Sequence, residues 1–147
     1  YGLNVTICRF YNVYGDYMPK EGGYRTVLPI FLEQYKNGKP LTITSDGEQR
    51  RDFTHVDDIV DAMMRVLQLN KWGSVYELGR GENHSINEVA DMFGGERVYI
   101  DEIPGEVRNT LCKSELARKK LKWTPKINYE NRDCRTRLRW DSGKNCF

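Results

Sequence analysis

Three groups of residues in the 147-residue sequence have types and spacings that could carry chemistry. Tyr35 and Lys39 stand four apart, the Y-x-x-x-K spacing in which a lysine one helical turn away lowers the pKa of a tyrosine. That works only if both side chains share one face of a continuous helix. Asn37, Gly38 and Pro40 end the helix before Lys39 can join it, so the pair reads as a helix terminus with a lysine nearby. No other tyrosine has a lysine at that distance. Second, Val75 to Asp101 imitates a dinucleotide-binding unit: a strand ending in Gly79-x-Gly81, a helix, and a strand ending in an acid. Glycines there would let the backbone approach a pyrophosphate, but the third glycine position is His84, too large for close helix–strand packing. The segment reads as an ordinary strand-to-helix turn. Third, Cys8, Cys112, Cys134 and Cys146 form no C-x-x-C pair, and His55 and His84 are far apart. No zinc site is expected, and a reduced, cytoplasmic setting is the default.

The elements that must position any site alternate in type. A β-prone run, Val5 to Phe10, leads into a turn at Gly15. A helix is predicted from about Thr26 to Asn37, a strand over Leu41 to Thr44, and a turn at Ser45-Asp46-Gly47. Asp52 to Val56 is extended, and Asp57 or Asp58 is expected to cap a helix. Ile59, Ala62, Met63, Val66 and Leu67 form its apolar face. Further elements are a strand at Val75 to Leu78, a helix opened by the capping box Ser85-Ile86-Asn87-Glu88, and a strand from Arg97 to Ile100. A last helix, Ser114 to Leu121, is expected to carry Ser114 at its cap. This order indicates an α/β chain.

With 39% hydrophobic and 30% charged residues, the composition is that of a globular domain. No apolar run is long enough for a membrane span. The net charge of +2 is concentrated at the end: residues 131–147 carry +3, leaving −1 for residues 1–130. An electrostatic case for nucleic acid therefore fails for the body of the protein. Residues 131–147 lack helical or strand periodicity and read as a basic, poorly ordered tail. The chain opens on Tyr1-Gly2 without a signal peptide and reads as a fragment.

The most informative residues are collinear. Arg9-Phe10-Tyr11-Asn12-Val13-Tyr14-Gly15 precedes Val27-Leu28-Pro29. Then come Pro40-Leu41-Thr42-Ile43-x-x-Asp46-Gly47-x-Gln49-x-Arg51-Asp52-Phe53-x-His55-Val56-x-Asp58, Tyr76-x-Leu78-Gly79, and Pro104-Gly105-Glu106-x-Arg108-x-Thr110. From Tyr1 to about Tyr129 this series resembles the C-terminal half of the extended short-chain dehydrogenases/reductases, the NAD-dependent nucleotide-sugar epimerases and dehydratases, and most of all the UDP-glucose 4-epimerases. The resemblance implies an α/β substrate-binding lobe of short strands and helices over residues 1–130, lacking most of the N-terminal Rossmann sheet. In that family the NAD loop and the Tyr/Lys dyad lie upstream of the strand matched here by Val5–Phe10.

The resemblance also implies roles for particular residues. Asn12 would touch the diphosphate, Leu28 and Ile43 would border the base, and Arg51 would bind a phosphate. Glu106 and Arg108 would approach the ribose or a phosphate, and Phe10 and Tyr11 would lie near the nicotinamide of a complete enzyme. The chemistry agrees: a diphosphate needs cationic donors, and arginine supplies planar, bidentate ones. His55 reads as a packed side chain. Asp16 stands where the family usually has proline, and Ser45 where it usually has glycine. No residue of the chain is expected to be catalytic or to bind metal. NAD would belong to the complete enzyme and not to this chain alone. The expected partners are a nucleotide-diphosphate sugar and either an N-terminal half, a separate Rossmann subunit or a second copy. The alternatives are a 4,6-dehydratase fragment and a non-catalytic binding or partner module.

Overall fold

The computed structural model describes residues 2–19 and 26–128. The expected tail at 131–147, with Cys134 and Cys146, lies outside the described residues, as does the boundary at 130. Within them the alternation of strands and helices is present. Strands β1 (Ile7–Phe10) and β2 (Val13–Tyr14) precede helix α1 (Val27–Lys36). Strands β3 (Leu41–Thr44), β4 (Arg50–Arg51) and β5 (Thr54–His55) lead into α2 (Val56–Leu69). Strands β6 (Val75–Leu78) and β7 (His84–Ser85), helix α3 (Ile86–Phe93), strand β8 (Arg97–Ile100) and helix α4 (Leu116–Leu121) complete the order. The strands pair two by two. Three pairs are parallel, β1 with β6, β2 with β5 and β3 with β8, while β4 and β7 are antiparallel. Parallel neighbours need crossovers, and the helices supply them.

Two apolar clusters hold these pairs. One gathers Leu28, Phe31 and Leu32 of α1, Leu41 and Ile43 of β3, and Val89, Ala90 and Phe93 of α3, with Tyr14 and Phe53. Phe31 meets Phe93 edge-on at 5.8 Å. The other gathers Ile59, Ala62 and Val66 of α2, Tyr76 and Leu78 of β6, and Ala117, Leu121 and Trp123 around α4. Of the five residues expected on the apolar face of α2, Ile59, Ala62 and Val66 are buried. Met63 and Leu67 lie on an adjoining arc with Val60 and Met64, and all four are exposed.

Helix starts differ from the expectation at two places. His55, not Asp57 or Asp58, caps α2: its Nδ1 accepts from the Asp57 backbone N–H at 3.2 Å. His55 is buried edge-on against Tyr14, as a packed side chain. Asp58 turns away from the cap, and its carboxylate accepts from the backbone N–H groups of Lys126 and Ile127, both at 3.0 Å. At α4 the cap residue is Glu115, without a side-chain bond, instead of Ser114. The Ser85–Glu88 capping box of α3 is present with both of its reciprocal bonds. Among the described residues no helix is long and apolar enough to cross a membrane.

Candidate functional site

The site grows from the chain between β3 and β5. Along β3 the side chains alternate: Leu41 and Ile43 point into the core, while Thr42 and Thr44 face outward. Gln34 of α1 fastens to this strand in both directions. Its Nε2 donates to Thr42 Oγ1 at 2.8 Å, and its Oε1 accepts from the Thr42 N–H at 3.1 Å. The turn that follows places Ser45 at φ 52° and Gly47 at φ 72°. A left-handed backbone there explains why glycine is the usual residue at 45 and why serine is tolerated only at some cost. A Cβ on Gly47 would lie 2.3 Å from Asn87 Oδ1, so that glycine is required by space as well. Beyond the turn, Gln49 and Arg51 both face one cavity of about 340 Å³.

The loop between β8 and α4 closes over this segment. Arg50 N–H donates to the Arg108 carbonyl at 2.9 Å and Thr110 N–H to the Arg50 carbonyl at 3.0 Å. Thr110 Oγ1 accepts from Asn12 Nδ2 at 3.0 Å and from the Asp52 N–H at 3.3 Å. An asparagine amide has two N–H donors, so this bond leaves Asn12 a second one for the cavity. Arg51 Nη2 meets Glu106 Oε1 at 2.8 Å. Arg108 grips Asp46 with both Nη atoms at 2.7 Å and 2.7 Å. That guanidinium holds the Asp46 carboxyl down to about 2. A second cavity of about 180 Å³ continues from the first between Ser45, Gln49, Glu106 and Arg108.

Of the sequence-derived residues, Asn12, Arg51 and Glu106 line the larger cavity and Arg108 the smaller one. Leu28 and Ile43 do not. Both are 0% exposed and pack in the core. The walls from the same two elements are Val27 and Ile30 of α1 and Thr42 and Thr44 of β3, one residue out of phase with the expectation. Strand period two, which puts Ile43 on the same face as Leu41, was the signal that could have placed it in the core. Gln49, absent from the expected site, lines both cavities. Phe10 is 48% exposed at the carboxyl end of β1. Tyr11 lies beside it against Gly79, with its N–H on the Leu78 carbonyl at 3.2 Å. Burial, then Glu77, push the Tyr11 hydroxyl up, the opposite of what a proton-accepting tyrosine needs.

The two rejected motifs stay rejected on geometry. Helix α1 ends at Lys36, so Lys39 lies outside the helix that carries Tyr35. The Gly79-x-Gly81 turn is filled from within. The buried Asp52 carboxylate accepts from the backbone N–H groups of Arg80, Gly81 and Cys112, each at 2.9 Å. A Cβ on Gly79 would lie 2.3 Å from Cys112 Cβ. Strand β8 pairs with β3 and not with β6, so no βαβ unit forms. The residues here do not fit a dinucleotide pyrophosphate. Among the described residues no cluster of ligating side chains suits a metal ion.

The profile described as the NAD dependent epimerase/dehydratase family matches residues 1–79. A UDP-N-acetyl-alpha-D-glucosaminuronate decarboxylase of Bacillus cytotoxicus is 38% identical, over 60% of this chain and 27% of its own. A putative UDP-glucose 4-epimerase of Methanocaldococcus jannaschii is 33% identical, over 87% of this chain and 43% of its own. The crystal structure of the UDP-glucose 4-epimerase of Thermotoga maritima with UDP-glucose superimposes with a TM-score of 0.84 at 31% identity. That match covers 92% of this chain and 45% of the other. The chain thus spans less than half the length of each of these relatives.

Proposed function

Because the chain belongs to the NAD dependent epimerase/dehydratase family, we propose that its cavity holds the nucleotide diphosphate of a sugar nucleotide, as the substrate-binding lobe of a UDP-sugar 4-epimerase. One observation carries the reading: Arg51 and Asn12 converge on a cavity that also presents apolar side chains, Val27, Ile30, Phe53, Ile86, Ile100 and Ile103. A diphosphate needs charge-assisted donors at one end, and a pyrimidine needs a flat apolar surface at the other. Arg51 is the phosphate ligand in this reading, with Asn12 as a neutral donor beside it. Glu106 leaves Arg51 when the anion arrives and turns to the ribose, and Arg108 adds a second cation from the loop. Val27, Ile30 and Thr42 border the base in place of Leu28 and Ile43.

This lobe contributes binding and orientation, and we assign it no proton or hydride step. Phe10 and Tyr11, at the carboxyl end of β1, are the residues placed nearest a nicotinamide contributed from elsewhere. The 38% identity to a decarboxylase favours a lobe common to reactions that start from the same class of UDP-sugar. We place a strand-bearing α/β segment against the edge of β1 that has no strand partner among the described residues, and against the bare arc of α2. On the opposite side of α2, Arg65 Nη1 bonds the Lys122 carbonyl at 3.0 Å and Trp123 Nε1 bonds the Asp58 carbonyl at 3.0 Å, so α4 occupies that flank. A two-stranded parallel sheet such as β1–β6 is rarely left uncovered.

Isothermal titration of the 147-residue chain with UDP-glucose tests the reading. Binding should weaken about 10- to 100-fold in Arg51→Ala, the scale of a lost charge-assisted pair. Equal affinity in the variant, or NAD binding without UDP-glucose binding, would sink it.

A further inference from the structure

The net charge of −1 over residues 1–130 hides a division. Residues 1–112 carry 17 acidic and 12 basic side chains, a balance of −5. Residues 113–126 carry Lys113, Arg118, Lys119, Lys120, Lys122 and Lys126 against Glu115 alone, a balance of +5. All six cations are exposed, and none of them lines either cavity of the candidate site. The backbone beneath them is tied to the core. Ala117 and Leu121 bury the inner side of α4. Trp123 Nε1 donates to the Asp58 carbonyl, and the Asp58 carboxylate accepts from the Lys126 and Ile127 N–H groups. The guanidinium groups of this region serve as further ties. Arg65 Nη1 bonds the Leu121 and Lys122 carbonyls at 3.3 Å and 3.0 Å, Arg80 Nη1 the Ile127 carbonyl at 2.8 Å, and Arg118 Nη2 the Arg80 carbonyl at 2.7 Å. The lysines are left to carry the outward charge. Lys119 pairs with Glu115 at 2.6 Å. Lys113, Lys120, Lys122 and Lys126 form no ion pair among the described residues.

We propose that this lysine surface docks the protein on an anionic phospholipid bilayer. Like charges gathered on one short segment repel one another, and a negatively charged partner relieves that cost. The kind of charge selects the partner. A lysine ammonium is a compact point charge on a flexible stem, without the planar fork that reads one phosphate or carboxylate in a fixed geometry. A bilayer presents many headgroups in no fixed register, which suits such charges. A nucleic acid strand would be held by exposed aromatic rings between the cations, but the one aromatic residue of the segment, Trp123, is 1% exposed. Clusters of about four to eight Lys or Arg suffice for attraction to anionic lipid, and each cation near the surface contributes roughly fivefold in partition. The proposal does not rest on the nucleotide reading, because the cavity and the lysine surface share no residue.

The test is co-sedimentation of the 147-residue chain with vesicles of two parts phosphatidylcholine to one part phosphatidylserine, and with vesicles of phosphatidylcholine alone. The chain should pellet with the first and stay in solution with the second. Raising the ionic strength from about 0.1 M to about 1 M shortens the screening length from about 10 Å to about 3 Å and should release it. The fourfold variant Lys113→Gln, Lys120→Gln, Lys122→Gln and Lys126→Gln should partition about 100-fold more weakly. If that variant fails to fold, the parent chain still locates the contact. On phosphatidylserine vesicles the same four lysines should be protected from acylation by an N-hydroxysuccinimide ester, read by mass spectrometry. Residues 131–147 are unchanged in the variant, so binding carried by their +3 would survive there, or leave the four lysines open to acylation, and either result would overturn the proposal. Equal pelleting with both kinds of vesicle, or with neither, would overturn it as well. So would release from the vesicles by polyuridylate captured in their place, which would assign the surface to nucleic acid.

Discussion

The two apolar clusters are built from similar elements but are closed to different degrees. Around Phe31 and Phe93, helices α1 and α3 press on β3, and the residues between them are sealed on every side. Around Ile59 and Tyr76, helix α2 buries one arc and leaves Val60, Met63, Met64 and Leu67 in solvent. A surface helix normally needs only one apolar stripe; α2 has two. Ile7 and Phe10 of β1 are exposed as well. The half that carries the cavity is therefore self-sufficient in packing, and the other half is shaped for a second cover. A substrate lobe that must keep its pocket formed, yet join a larger α/β body, would divide its stability in this way.

Core truncation should separate the halves most sharply. Phe31→Ala removes a sealed ring and should cost about 3–5 kcal/mol of unfolding free energy in urea. Leu67→Lys, on the bare arc, should change it by no more than about 0.5 kcal/mol. A large loss in Leu67→Lys would mean that the arc is already covered in solution, and the contrast between the halves would fall.

The next effect lies where the halves meet. Asp52 is fully buried at the junction of β4 and β5, and its carboxylate holds the backbone of Arg80, Gly81 and Cys112. Asp52→Ala takes the acceptor from the Gly81 and Cys112 N–H groups, leaves Arg80 N–H with Thr54 Oγ1 alone, and should destabilise the chain by about 3 kcal/mol. Because these bonds join the 79–81 turn to the strand beside the cavity, UDP affinity should fall as well. Unchanged stability would show that water replaces the carboxylate, and the junction would be looser than its geometry indicates.

How much of this was legible in the sequence follows from what each residue depends on. Strand β3 and the capping box of α3 are local, fixed by neighbours within four positions, and the sequence located both. Arg51 and Glu106 could be named from their motif, but their 2.8 Å pairing joins positions 55 residues apart and needed the fold. Ile43 and Leu28 were assigned to the ligand from resemblance, and the fold packs both in the core. The Gly79-x-Gly81 turn could be doubted from His84 alone, yet what fills it is a carboxylate from elsewhere in the chain. Gln49 was visible as part of a motif and had no role, because its place between two cavities exists only once its surroundings are folded.

Acid should act on the cavity half through one pair whose position in pH is defined. Arg108 holds the Asp46 carboxyl at about 2, below the ordinary aspartate value near 3.9. A depressed pKa means that the folded state prefers the charged form. The contribution of the pair is complete above the ordinary value and is lost as pH falls through about 2. Both side chains are exposed, so the effect on global stability should be small and screened by salt. Carbon-13 titration of the Asp46 carboxyl by NMR should give a midpoint close to 2, moving to the ordinary aspartate range in Arg108→Gln. A normal midpoint in the parent chain would show that the loop over the smaller cavity is not pinned at this end.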